Sequence, residues 1–205
     1  KAVTLKQAER YDEAIRAFKE LGFEIGSPYE YRKDITSCEI AKAWKKEKIS
    51  FRVFEADFNS AQSDYGISFL DKDNILFTSD RFPSSVDSKS KSENTYNWTG
   101  NAYSAIYQYN KLTGSSQAIS FTDIGKISND ANPTLSSDGN TIIFSRCPVV
   151  KGLEKNYCSL YSAERTADGW TKPVELGFIE EEANYMHPAL SSTGDTLFFS
   201  SDMIN

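Results

Sequence analysis

The chain has 205 residues, 39% hydrophobic and 25% charged, and its 29 acidic against 23 basic side chains leave a net charge of −6. That balance describes a globular chain of one or two domains. No apolar run reaches the length of a membrane span, and no cluster of Lys and Arg mixed with aromatics is present to track phosphates, so the composition argues against an integral membrane protein and against a nucleic-acid partner.

Residues 1–48 read as helical. Leu5, Ala8, Tyr11, Ala14, Ile15, Phe18 and Leu21 recur at spacings of three and four, and Gly22 is placed to end the helix or the turn between helices. After Ser27-Pro28 a second helical pattern carries Tyr31, Ile35, Cys38, Ile40, Ala41 and Trp44 as its apolar positions. The run AERYDEAIRAFKEL resembles the second helix of a tetratricopeptide repeat, with an ordinary helical hairpin capping a β domain as the alternative. Residues 49–58, ISFRVFEADF, then alternate in character and read as a strand with no hairpin of its own.

The rest is organised by a repeat. Residues 64–80 (DYGISFLDKDNILFTSD), 129–147 (NDANPTLSSDGNTIIFSRC) and 185–202 (YMHPALSSTGDTLFFSSD) share one pattern: a short strand after Gly66, Pro133 or Pro188, a polar turn, and a run of β-branched and aromatic residues. Gly139 and Gly194 supply the positive φ angle that a tight hairpin turn needs. With Gly66 set on the two prolines without a gap, Ile75, Ile142 and Leu197 align, as do Phe77, Phe144 and Phe199. Consecutive apolar residues, as in Thr141-Ile142-Ile143-Phe144 and Thr196-Leu197-Phe198-Phe199, predict strands buried on both faces between stacked sheets.

The copies stand 67 and 55 residues apart, a spacing that suits a four-stranded propeller blade with loop insertions. Between them, residues 103–109, a turn at Thr113-Gly114 and residues 117–123 supply two further strands. Residues 157–163, a turn at Asp168-Gly169 and residues 170–176 do the same. Residues 49–58 occupy the place of an outermost strand, which in a closed ring completes the last blade and avoids an open edge. Residues 82–100 form an exposed excursion; within it Asn97-Trp98-Thr99 matches a glycosylation sequon, and Trp98 is expected to pack back onto the blade.

The chemistry-bearing residues point away from catalysis. His187 is the one histidine, no nucleophile-elbow sequence accompanies it, and a hydrogen-bonded structural or channel-lining role is its default. Cys38, Cys147 and Cys158 lack metal-site spacing, and no cofactor is implied. Cys147 and Cys158 end one predicted strand and begin its neighbour, close enough for a disulfide, with two free thiols as the alternative. Asp71, Asp73, Asp138 and Asp195 sit in hairpin turns, where capping of backbone amides outweighs a calcium reading. The strands next to the channel start at one mouth of it. The candidate binding residues are therefore Tyr65, Asn132 and His187, aligned at that rim, with Asp64 and Asp130 beside them.

Taken together, the helical segment, FNSAQSDYGISFLDKDNILFTSDR, YNWTGNAYSAIYQY, ANPTLSSDGNTIIFSR and MHPALSSTGDTLFFSSDM resemble the PorE-like lipoproteins of Bacteroidetes. That family joins tetratricopeptide repeats, a TolB-type WD40-like propeller and an OmpA-like domain. The resemblance implies a mainly β chain with an N-terminal α segment: a TPR-like helical hairpin over residues 1–48, then an incomplete propeller of two to three blades over residues 49–205. It implies a non-catalytic periplasmic scaffold, tied to the outer membrane by a lipid anchor and binding protein partners of an envelope complex such as type IX secretion or gliding machinery. Peptidoglycan would be bound only through an OmpA-like domain to which no position here corresponds. The sequence stops at Asn205 where a further Gly-rich segment is expected, and it starts without a lipidated cysteine, so the expectation is an internal fragment or a processed form. The alternatives are a propeller that gates a prolyl-oligopeptidase-like peptidase, or a peptide- or glycan-binding propeller.

Overall fold

The structure is a computed structural model that describes residues 1–47, 52–82, 94–122, 128–149, 157–180 and 182–203. The fold is mostly β with few helices. The chain divides into two compact units, Lys1–Phe54 and Glu55–Asn205. The sequence-predicted boundary after Lys48 falls among residues 48–51, which lie outside the described ones.

The first unit holds α1 (Ala2–Gln7), α2 (Tyr11–Glu24) and α3 (Arg32–Trp44). Ala14, Phe18 and Cys38 are buried between them with Ala2, and Leu5, Tyr11, Ile15, Tyr31 and Ile35 pack against this core. The continuous apolar pattern from Leu5 to Leu21 is nevertheless two helices. The backbone turns left-handed at Glu9, with φ 59°, and breaks the run. Nor does Gly22 end α2. The chain reverses at Gly26 (φ 70°), where Ser27 N–H donates to Gly22 O (2.9 Å) and Gly26 N–H to Phe23 O (3.1 Å), the two bonds of a Schellman cap. Gly22 serves closeness instead: a Cβ there would stand 3.2 Å from Pro28 Cα and from Ser27 O. Ile40 and Trp44, expected to be buried, lie on the exposed side of α3. The cross-helix ion pairs Lys6–Asp34, Lys42–Asp12 and Lys45–Glu9 are at the surface, where water and salt screen them, and add little to stability.

Among the described residues, the second unit holds three antiparallel sheets, each following the chain in order. Sheet 1 is β1 (Asp64–Phe69), β2 (Asn74–Ser79), β3 (Ala105–Asn110) and β4 (Ser115–Ala118). Sheet 2 is β5 (Ser128–Leu135), β6 (Thr141–Pro148) and β7 (Ser159–Thr166), with the outer edge of β7 shared by β8 (Gly169–Trp170) and β9 (Val174–Glu175). Sheet 3 is β10 (Tyr185–Leu190) and β11 (Leu197–Ser201).

The outer strands depart most from expectation. β4 ends at Ala118 rather than running on from Gln117, and the strand expected over residues 170–176 is split by Thr171, Lys172 and Pro173. A proline has no N–H to give a ladder. Of the strand expected over residues 49–58, residues 49–51 lie outside the described ones and residues 52–58 form no strand, none of the described strands running beside them; Phe58 alone is buried from residues 52–58, packed on Phe77 and Tyr109 at 4.7 and 5.4 Å. Of the excursion over residues 82–100, residues 83–93 lie outside the described ones, and Trp98 is 86% exposed instead of packed onto the sheet.

Apolar side chains fill the spaces between sheets. Leu70, Leu76 and Ile106 of sheet 1 meet Ile142, Phe144, Ala163 and Trp170 of sheet 2. Leu160 meets Tyr185 and Ala183, with Leu197 and Met203 against them. The other face of sheet 1 carries Ile75, Phe77, Tyr107 and Tyr109, covered by Phe58. Strands β2 and β6 are therefore buried on both faces, as their consecutive apolar residues predict. Strand β11 is not: Phe198 is 63% and Phe199 39% exposed, since among the described residues no sheet lies over its far face. Cys147, near the end of β6, is disulfide-bonded to Cys158, just before β7, and Cys38 is a buried free thiol.

Candidate functional site

All three inner strands carry a bulge at one place, between Tyr65 and Ser68, between Ala131 and Thr134, and between Met186 and Ala189. A bulge inserts one residue and re-aims its neighbours. Its first residue is left-handed each time: Gly66 (φ 62°), Asn132 (φ 53°) and His187 (φ 55°). This corrects the repeat register. Gly66 corresponds to Asn132 and His187, not to the prolines, and Ile67 takes the proline position. The gap lies in the turn, because Phe69 pairs with Ile75 whereas Leu135 pairs with Ile142 and Leu190 with Leu197. Tyr65 thus corresponds to Ala131 and Met186, and it is not the equivalent of Asn132.

The bulges also lock the sheets together. Asn132 N–H donates to Thr78 Oγ1 of sheet 1 (2.8 Å), and His187 N–H donates to Ser145 Oγ of sheet 2 (3.0 Å). A second link repeats as well. Asp130 N–H donates to Ser104 O while Ser104 N–H donates to Asn129 Oδ1, both at 2.9 Å. One sheet later, Tyr185 N–H donates to Cys158 O (2.8 Å) and Cys158 N–H to Asn184 Oδ1 (3.0 Å). Asn129 and Asn184 were missed among the sequence candidates. Their signal was an asparagine four residues before each proline, Asn129 before Pro133 and Asn184 before Pro188.

The inner-strand ends of the three sheets surround a cavity of about 390 Å³ whose wall includes Tyr65, Tyr96, Asn132, Met186 and His187. Three of the five sequence candidates are therefore brought together. Asp64 and Asp130 do not line it, because each is held in an ion pair. Asp130 accepts two hydrogen bonds from Arg146, at 2.8 and 2.7 Å, and the guanidinium lies over the rings of Phe144, Tyr161 and Phe121 at 5.3 to 5.6 Å. Asp64 pairs with Arg81, which lies over Phe77 and Tyr107 at 5.1 and 5.3 Å. Sheet 3 replaces this charged arrangement with an aromatic one. Tyr185 stands where Asp130 does, lies tilted against Phe199 (5.7 Å), and its hydroxyl donates to Met203 Sδ (3.3 Å).

Burial acts to raise the pKa of Asp64, but hydrogen bonds from Ser79, Arg81 and Ser60 outweigh it and hold the carboxyl below its ordinary value. A depressed folded-state pKa contributes stability above the unfolded pKa that is lost as pH falls through the folded one. Asp64→Asn is therefore expected to lower the melting temperature at neutral pH and to flatten its decline below about pH 4. Parallel melts of the two proteins across that range check it, and an unchanged acid slope would count against the ion pair.

The turn aspartates cap their own loops. Asp71 accepts the amides of Asp73 (2.9 Å) and Asn74 (2.8 Å), and Asp138 accepts Asn140 N–H (3.0 Å). Asp195 accepts the hydroxyls of Ser191, Thr193 and Thr196. Among the described residues no group of three or more His, Cys, Asp or Glu is placed to hold a metal ion. The serine hydroxyl tied to His187, that of Ser145, is buried and is used in accepting the His187 amide. Among the described residues no helix is long and apolar enough to cross a membrane.

No family model matches the chain, and no curated protein matches it. Among solved structures, the chain is similar to one from a structural and mechanistic study of two prolyl endopeptidases, with 16% identity and a TM-score of 0.39. The likeness covers 67% of this chain but 17% of that one, and it is too slight to bear on fold or activity.

Proposed function

We propose that this chain is a non-catalytic binding scaffold: a partial propeller of TolB-type, WD40-like blades preceded by a TPR-like helical pair, recognising protein segments at the cavity between its inner strands. The observation that carries the reading is the thrice-repeated bulge. Two residues other than glycine, Asn132 and His187, are held left-handed at the wall of one cavity. Each such conformation costs about 1–3 kcal/mol, and strain of this kind clusters at ligand clamps. Sheets that meander in chain order and stack face to face support the propeller, and the α2–α3 pair supports the helical repeat. In the wall, Tyr65 and Tyr96 offer ring faces, while Asn132 and His187 offer hydrogen-bonding groups suited to a peptide backbone. On the resemblance to PorE-like lipoproteins, the proposed partners are periplasmic proteins of an outer-membrane-associated complex of the type IX secretion or gliding kind, with peptidoglycan contacted only through a separate domain.

The test compares variants that spare the core. Tyr65→Ala and His187→Ala are expected to reduce recovery of envelope proteins on the immobilised chain at least about tenfold, the weight of one or two buried contacts. Recovery unchanged in both variants would remove the cavity from the reading. Turnover of a proline-containing peptide by the wild-type chain, abolished in His187→Ala, would overturn the non-catalytic assignment.

A further inference from the structure

The three sheets are joined twice by one kind of interface, and among the described residues each half of it occurs once more exposed: one on β11, the other at the β1 end of the sheet 1 face, beside the stretch that Phe58 covers. In the joined interfaces, the following face of one sheet presents an apolar residue and a hydroxyl, Leu76 with Thr78 or Ile143 with Ser145, all buried. The leading face of the next sheet presents a buried proline just after the left-handed residue, Pro133 or Pro188, with Leu135 or Leu190 beyond it. The hydroxyl then accepts the N–H of that left-handed residue.

By ladder register, Phe198 and Ser200 of β11 stand where Ile143 and Ser145 stand in β6. Phe198 pairs with Ala189 as Ile143 pairs with Thr134, and Ser200 with Met186 as Ser145 with Ala131. Phe198 is 63% exposed, and Ser200 and Ala189 are exposed beside it. At the other end, Ile67 and Phe69 of β1 stand where Pro133 and Leu135 stand in β5. They are 53% and 69% exposed, with the Lys111 ammonium 5.6 Å from the Phe69 ring. Gly66, the left-handed residue of β1, precedes them.

We infer that copies of this chain associate head to tail, the Phe198–Ser200 face of one copy closing on the Gly66–Phe69 face of the next, with Ser200 Oγ accepting Gly66 N–H. The occupant is a second copy because each face is the counterpart of the other in an interface that the molecule already builds twice. A contact between two unlike patches propagates beyond a dimer unless it closes into a ring. Sheet 3 has two described strands, so the contact is small and the association weak.

Sedimentation velocity on the full 205-residue chain tests this. The wild type is expected to show a sedimentation coefficient that rises with concentration toward about 1 mM, the range of a small interface. Phe198→Glu and Ile67→Glu each remove one face at an exposed position and are each expected to sediment as monomers with unchanged circular dichroism. Because each keeps the face that the other has lost, their equimolar mixture is expected to give a one-to-one dimer and nothing larger. A wild type that stays monomeric, association that survives either substitution, or a mixture that fails to pair overturns the inference.

Discussion

Asp130→Ala is expected to lower the free energy of unfolding by about 3 kcal/mol. The Arg146 guanidinium would stay among Phe144, Tyr161 and Phe121, where its side chain is 16% exposed, but without the bidentate carboxylate that offsets its charge. Removing one partner of a buried pair costs more than the pair contributes, so the informative control is the double variant Asp130→Ala/Arg146→Met. It is expected to recover most of the loss, because a methionine fills the space over the rings without a charge. Urea unfolding at constant m-value measures both, and a single variant that loses less than about 1 kcal/mol would show the pair to be ornamental.

Phe144→Ala is expected to cost about 3–5 kcal/mol. Its ring is fully buried, stacked on Phe121 at 5.0 Å, near Tyr161 at 6.4 Å and beneath Arg146, so alanine opens a cavity and removes the platform on which the ion pair rests. The comparison that isolates burial from residue type is Phe198→Ala in β11. With that ring largely exposed, the cost is expected to stay near about 0.5 kcal/mol. Equal losses at the two phenylalanines would mean that β11 is covered in solution.

The sheet order was legible because glycine, proline and consecutive apolar residues report local geometry and two-sided burial. Ile142-Ile143-Phe144 predicts its own environment. The register of the first repeat was not legible: the one-residue difference lies in a turn, and Gly66 can take a left-handed φ or stand for a proline with equal ease. Trp98 and the outer strands went wrong for a related reason. Residue type tells little where the partner surface is a loop or a short edge, and Pro173 decides the break in the outer edge of sheet 2 by lacking an amide hydrogen.

The site was half legible. Tyr65, Asn132 and His187 follow from where inner strands begin, and the cavity gathers them. Asp64 and Asp130 were misplaced because an aspartate near a strand start has the same appearance whether it faces a ligand or an arginine two or more strands' lengths of sequence away. Arg81 and Arg146, each one or two residues after a serine that follows an apolar run, were the signal for the second outcome.

The hydroxyl-to-amide links between sheets carry one more consequence. Thr78 to Asn132 and Ser145 to His187 each cross a single sheet boundary. Among the described residues, cooperativity in this unit therefore passes between neighbours, as it does along a row of dominoes, with no brace across the whole. Opening starts where a sheet has a bare side. The amides of β11 are therefore expected to exchange before those of β6 in a hydrogen-exchange experiment, with the His187 amide reporting how long the third sheet stays closed on the second.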